Sequence, residues 1–151
     1  MRFLQNYPHY LEVAYHTTKR ILKPIQRWLV PGGGTERIFI NLELITKVPI
    51  FDCRMCGHCI LHSTGMTCPM TCPKTLRNGP CGGVREDGNC EVKPEMACVW
   101  VEAWQRSQKM HDYQGDISMI QAPLNNQLKG TSAWINDLNQ EVRILPKGWE
   151  S

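Results

Sequence analysis

Eight cysteines crowd into residues 53–98 of a 151-residue chain, and none lies elsewhere. They are Cys53, Cys56, Cys59, Cys68, Cys72, Cys81, Cys90 and Cys98, spaced C-x2-C-x2-C-x8-C-x3-C-x8-C-x8-C-x7-C. Thiols at this density need a reason, because free cysteine oxidises easily. Disulfides, zinc and iron–sulfur clusters are the three on offer.

An even cysteine count suits a disulfide framework in a small secreted domain. The opening Met1-Arg2-Phe3-Leu4-Gln5-Asn6-Tyr7-Pro8 has no apolar run of signal-peptide length and no small-residue cleavage site. A cytoplasmic location is therefore expected, where thiols stay reduced. Metal is the stronger reading.

Zinc takes its four ligands as two separated pairs. Here the first element is triple, Cys53, Cys56 and Cys59. Such a loop wraps one corner of a cuboidal cluster, as in bacterial ferredoxins. Cys68-Pro69 and Cys72-Pro73 repeat the Cys-Pro dipeptide that closes the ferredoxin run. Eight thiolates match two [4Fe–4S] clusters at four each, and iron–sulfur leads. The spacing after Cys59 is not a ferredoxin's, and two four-cysteine zinc sites satisfy the same count. Three thiolates on one tight loop are expected to share a centre, completed from far along the chain by Cys98. Cys68, Cys72, Cys81 and Cys90 would then hold the other. His58 and His62 are expected to be neighbours of the ligands or surface groups, since cysteines already fill two sites. Lys74, Arg77 and Arg85 lie close to the thiolates in sequence, either offsetting the negative charge of a thiolate-held cluster or simply solvated.

These residues also carry a resemblance. D-C-R-M-C-G-H-C-I-L-H-S-T-G-M-T-C-P-M-T-C-P-K-T-L-R-N-G-P-C-G-G resembles the cysteine-rich C-terminal domain of methylenetetrahydrofolate reductases, found fused behind a flavin barrel or as a separate small subunit. The match runs from about Phe51 to Trp104, with weaker similarity through Leu138. It implies metal-binding cysteines and a flavin-containing barrel subunit as partner, in a larger redox complex or alone. FAD or FMN and the folate would sit on that partner. Both zinc and iron–sulfur attach to the family, so the resemblance leaves the metal open.

The elements that must position the cysteines are helical or irregular. Residues 8–30 read as a helix with Pro8 at its first position and a stripe from Leu11 to Leu29, kinked at Pro24. Pro31-Gly32-Gly33-Gly34 is a linker without the spacing of a phosphate loop. Residues 36–50 alternate like a strand at Ile38, Ile40, Leu42 and Leu44. Thr35 equally suits the cap of a helix whose face holds Ile38, Leu42 and Ile45, and helix is favoured. Gly and Pro density forbids long regular elements among the cysteines. Pro94 opens a helix over 94–111 that delivers Cys98 and presents Trp100 and Trp104 on one face. A short helix is predicted from Ser132 to Leu138, capped by Thr131 or Ser132, and residues 141–151 read as extended.

The expected fold is thus a small α+irregular metal-stabilised domain, with cysteine-rich loops around two metal centres flanked by helices. Its parts would be an amphipathic helical arm (1–30), a Gly-rich linker (31–35), the metal-binding domain (36–112) and a C-terminal extension (113–151). The arm would dock on a larger assembly; a membrane surface is the less favoured reading of its basic amphipathic pattern.

A chain of this length is too short for a (β/α)8 barrel of about 250 residues. Catalysis at the folate is expected to belong to the partner, and no paired carboxylates, Ser/His/Asp set or cofactor fingerprint offers an alternative. A net charge of +3 gives no basis for nucleic-acid binding. The expected function is an electron-transfer subunit serving a reductase flavin; the alternative is a structural zinc module without redox work.

Overall fold

The computed structural model describes residues 2–143. Four α-helices carry the architecture: α1 (Pro8–Leu22), α2 (Glu36–Phe51), α3 (Val99–Ser107) and α4 (Ala133–Leu138). Short 3-10 turns and irregular chain fill the rest. Among the described residues no strand forms, and only two isolated antiparallel bridges occur, Val84 with Cys90 and Asn89 with Ala97.

Helix α1 starts on Pro8 and stops at Leu22, where the chain tightens into a 3-10 turn over Lys23–Trp28. Pro24 explains the change, since it has no N–H for the Arg20 carbonyl. The inward face of α1 is stitched to the rest of the chain. Leu11 and Tyr15 pack against Leu61, Met66, Cys68 and Met110, while Leu22 and Leu29 join Ile135 and Leu138. Glu12, 1% exposed, accepts the backbone N–H groups of His111, Asp112 and Tyr113 at 2.8–2.9 Å. Tyr10, Ile21 and Trp28 remain on the outer surface.

Residues 36–51 form a helix, as favoured, but its burial is inverted. The face expected to be buried, Ile38, Leu42 and Ile45, is 61%, 52% and 72% exposed. The buried residues are Glu36, Glu43 and Lys47. They are tolerated because each is satisfied. Glu36 accepts the N–H groups of Gly32 and Ser132. Glu43 accepts the Ser132 hydroxyl and the Ala133 and Trp134 N–H groups, closing the first turn of α4. Lys47 donates to Glu43 at 3.0 Å. Pro49 lies inside the last turn of α2, and Asp52 ends it in the left-handed region at φ 51°.

Helix α3 is shorter than the expected 94–111. Met96 closes a turn onto the Lys93 carbonyl and accepts the Cys90 N–H, so Pro94 belongs to that turn. Cys98 sits extended immediately before the first turn. Trp100 and Ala103 face inward beside Cys98, whereas Trp104, on the expected shared face, is 53% exposed. Helix α4 forms where expected, with Ser132 as its cap: the hydroxyl accepts the Ile135 N–H. Glu141–Arg143 is a 3-10 turn instead of extended chain, and the rest of that tail lies outside the described residues.

Candidate metal centres

The loop leaving α2 is built to coil. Asp52, Met55 and Gly57 all take positive φ, at 51°, 48° and 68°. The outer carbonyls of the loop are tied down from elsewhere: Met55 O by the Gly130 N–H, Gly57 O by Asn136 Nδ2, and His58 O by Arg77 Nη2. Coiled and pinned in this way, the loop places Cys53, Cys56 and Cys59 on the wall of one small cavity. Cys68 completes the set. Three of these sulfurs accept the backbone N–H two residues further on: Cys53 from Met55, Cys59 from Leu61 and Cys68 from Met70.

The second cavity collects Cys72, Cys81, Cys90 and Cys98. A tight turn arranges the last two. Arg85 and Asn89 bond across it, Val84 bridges Cys90, and the Cys98 N–H donates to the Gly88 carbonyl at 3.0 Å. The Cys81 thiol donates to Glu91 at 3.4 Å, and Glu91 also pairs with Lys74. Gly83 leaves room for that carboxylate, because a Cβ there would overlap it. Cys81 is exposed at the rim of this cavity, and each set has one buried cysteine, Cys68 in the first and Cys98 in the second.

The eight cysteines therefore divide four and four, but not as the spacing suggested. Cys68 joins the triple loop, and Cys98 joins Cys72, Cys81 and Cys90. The physical reason lies in two places. The 3-10 turn Pro69–Thr71 has extended residues at both ends, Cys68 and Cys72, and so parts them between the two cavities. Cys98 is held by the Gly88 turn, on the side of the second cavity. All eight are free thiols. Among the described residues, no three Cys, His, Asp or Glu side chains meet closely enough to hold a single metal ion; the sulfurs line walls.

Electrostatics separate the two cavities. Burial pushes the Cys59 thiol up to about 11 and Cys68 up to about 12, and it raises Cys53 as well. Lys47 draws Cys53 and Cys59 back down without offsetting burial. The ammonium itself is lowered by burial, yet the Cys59 thiolate and the Glu43 carboxylate raise it by more. Arg77, 8% exposed, adds a second buried cation, lowered by burial and partly restored by the sulfurs of Cys56, Cys59 and Cys68. Thiols in such a place ionise only against strong positive charge, which a metal centre supplies. Four soft donors and two buried cations fit a negatively charged thiolate-ligated centre in the first cavity. Four thiols with Lys74 at the rim fit one in the second.

His58 is buried in the first cavity's wall, its Nδ1 accepting the Asn125 N–H at 3.4 Å. Burial, and then the Arg77 charge, lower it to about 4, so the ring is neutral. His62 stacks on Tyr15 at 5.4 Å and lines neither cysteine cavity. Arg85 is half-exposed and pairs with Asp87. Sequence reasoning passed over Glu43 and Lys47, because a charged pair on a helix reads as its solvated face; their i, i+4 spacing was the available signal.

No helix is long and apolar enough to cross a membrane among the described residues. No curated protein and no solved structure matches the chain. A family model described as methylene-tetrahydrofolate reductase C terminal matches residues 33–127, which takes in all eight cysteines, the whole of α2 and α3, and well over half of the sequence. The chain belongs to the methylene-tetrahydrofolate reductase C-terminal family.

Proposed function

We propose that the chain is a non-catalytic, metal-holding partner of a methylenetetrahydrofolate reductase-type flavoprotein, carrying one [4Fe–4S] cluster in each four-cysteine cavity. The observation that carries this reading is the division of eight free thiols into two complete sets of four. The C-x2-C-x2-C loop favours iron–sulfur over zinc in the first set. Family membership supplies the partner class. Bound clusters would supply one-electron transfer to or from the partner's flavin, and the folate chemistry would stay on the barrel. The chain's own part is to hold the thiolates, exclude water from the first cavity, and oppose its negative charge with Lys47 and Arg77. Reduced thiols suit the cytoplasm.

The test is metal analysis of the chain purified without oxygen, alone and with its flavoprotein. About eight iron and about eight acid-labile sulfide per chain are expected, with brown colour that bleaches when the partner's flavin is reduced. Stoichiometric zinc with no sulfide overturns the reading and leaves a structural zinc module in its place.

A further inference from the structure

Two buried nitrogen donors in the described chain have no hydrogen-bond partner, Arg77 Nη1 and Trp100 Nε1. A buried N–H left unpaired is costly, and native proteins rarely tolerate one without a reason. One such atom would be a curiosity. Two, placed one at each four-cysteine cavity, form a pattern. Arg77 lines the cavity of Cys53, Cys56, Cys59 and Cys68, and Trp100 lines that of Cys72, Cys81, Cys90 and Cys98. The third buried unpaired atom, Asn136 Oδ1, is an acceptor and offers nothing to sulfur.

The other contacts of both side chains fix their orientation. Arg77 spends Nε on the Ala122 carbonyl at 3.1 Å and Nη2 on the His58 carbonyl at 3.0 Å, which locks the guanidinium plane and leaves Nη1 unspent. Trp100 is 7% exposed and packs with Cys98 and Ala103 in one apolar cluster, so its ring cannot turn out to water. Both side chains also border a cavity of about 400 Å³. That cavity's lining holds no cysteine.

We propose that Arg77 Nη1 and Trp100 Nε1 are the side-chain hydrogen-bond donors to the sulfur of the two metal centres, Arg77 to the first and Trp100 to the second. This rests on the iron–sulfur reading above. Donors to sulfur stabilise the more negative, reduced form and raise the potential. Arg77 brings a full charge as well, in a place where Lys47 already stands. The two centres are thereby tuned separately, by one side chain each. Both act as positioning and tuning residues and touch no substrate.

The experiment uses the anaerobically purified full chain and the variants Trp100→Phe, Arg77→Lys and Arg77→Met. Iron and sulfide are measured first. If wild-type chain holds zinc without sulfide, the proposed function falls and this inference with it. With clusters present, redox titration followed by electron paramagnetic resonance reads the two potentials. Trp100→Phe is expected to lower one potential and leave the other unmoved; Arg77→Met lowers the other, and Arg77→Lys restores part of the shift. Potentials that move together, or not at all, in chains with full iron content overturn the inference while leaving the electron-transfer reading standing. Should a variant lose its clusters, wild-type chain grown with 15N-tryptophan decides for Trp100, and 15N-arginine decides for Arg77. Hyperfine coupling from an indole nitrogen to one reduced centre, and from a guanidinium nitrogen to the other, is expected; its absence overturns the assignment.

Discussion

Glu43 and Lys47 face each other at 3.0 Å across one turn of α2, with only 2% and 7% of their surfaces exposed. The pair explains why this helix turns its charged side inward and its isoleucines outward. Glu43 closes the start of α4, and Lys47 stands between that carboxylate and the thiols of Cys53 and Cys59. Glu43→Gln strips Lys47 of its direct partner in a buried site. A loss of roughly 3–5 kcal/mol is expected for breaking such a pair. Ile45→Lys, on the 72% exposed face, should stay within about 0.5 kcal/mol. Urea unfolding of both variants checks the inversion; a large loss in Ile45→Lys with none in Glu43→Gln would mean that the helix is turned the other way.

The pairing of cysteines is open to the same kind of test. If the chain carries the two proposed clusters, Cys68→Ser and Cys53→Ser should remove the same one, leaving the spectrum of the second. Cys98→Ser should instead match Cys81→Ser. Iron would fall from about eight to about four per chain in each case. If Cys98→Ser gave the spectrum of Cys53→Ser, the division of thiols between cavities described above would be wrong.

Much of this could be read from the residues alone, for physical reasons that differ by element. Cysteine spacing is local, and three thiols each three residues apart on a coiling loop have to share a wall. The partner of that loop is not local. Cys68 and Cys72 are four apart, yet the 3-10 turn between them sends each to a different cavity. Helix α2 was legible as a helix, but not its facing. Periodicity assigns the apolar stripe to the core, and it cannot register that Ser132, Ala133 and Trp134 wait, some ninety residues away, to satisfy Glu43. The start of α3 was misplaced because Pro94 is as well suited to a turn as to a helix start. Trp100 read as a core aromatic; that its N–H lacks a partner belongs to tertiary structure.

Gly57 and Gly65 mark the two places in the cysteine region where backbone comes closest to a glycine. At Gly57, φ is 68° and a Cβ would run into the Leu128 carbonyl oxygen. At Gly65, φ is 59° and a Cβ would meet the Ala103 carbonyl on α3. Neither obstacle is a flexible side chain. Alanine at either position should cost more than the ~1 kcal/mol typical of an incompatible glycine site, because backbone must move. Gly79→Ala is the control for space: its φ is also positive, at 113°, but nothing lies within 4 Å. Thermal melting should therefore rank Gly57→Ala and Gly65→Ala below Gly79→Ala. Equal melting points for the three would show that the close approaches carry no weight.

Glu12 gives the fold an acid sensitivity that can be isolated. Burial alone would raise its pKa, but N–H donation from His111, Tyr113 and Asp112 outweighs burial and holds it below the ordinary 4.5. A carboxylate depressed on folding stabilises the chain above its unfolded pKa, and that contribution is lost as pH falls through the folded value. Glu12→Gln keeps the shape and removes the charge. At neutral pH the variant should be less stable than wild type by roughly 1.5–3 kcal/mol, the usual range for hydrogen bonds to a charged group. As pH drops below the ordinary carboxylate range, wild type should converge on the variant, because its own Glu12 becomes protonated. Urea midpoints measured from pH 7 down to about pH 3 test this. A gap that stayed constant across the range would show that the contribution of the three N–H groups does not depend on the Glu12 charge.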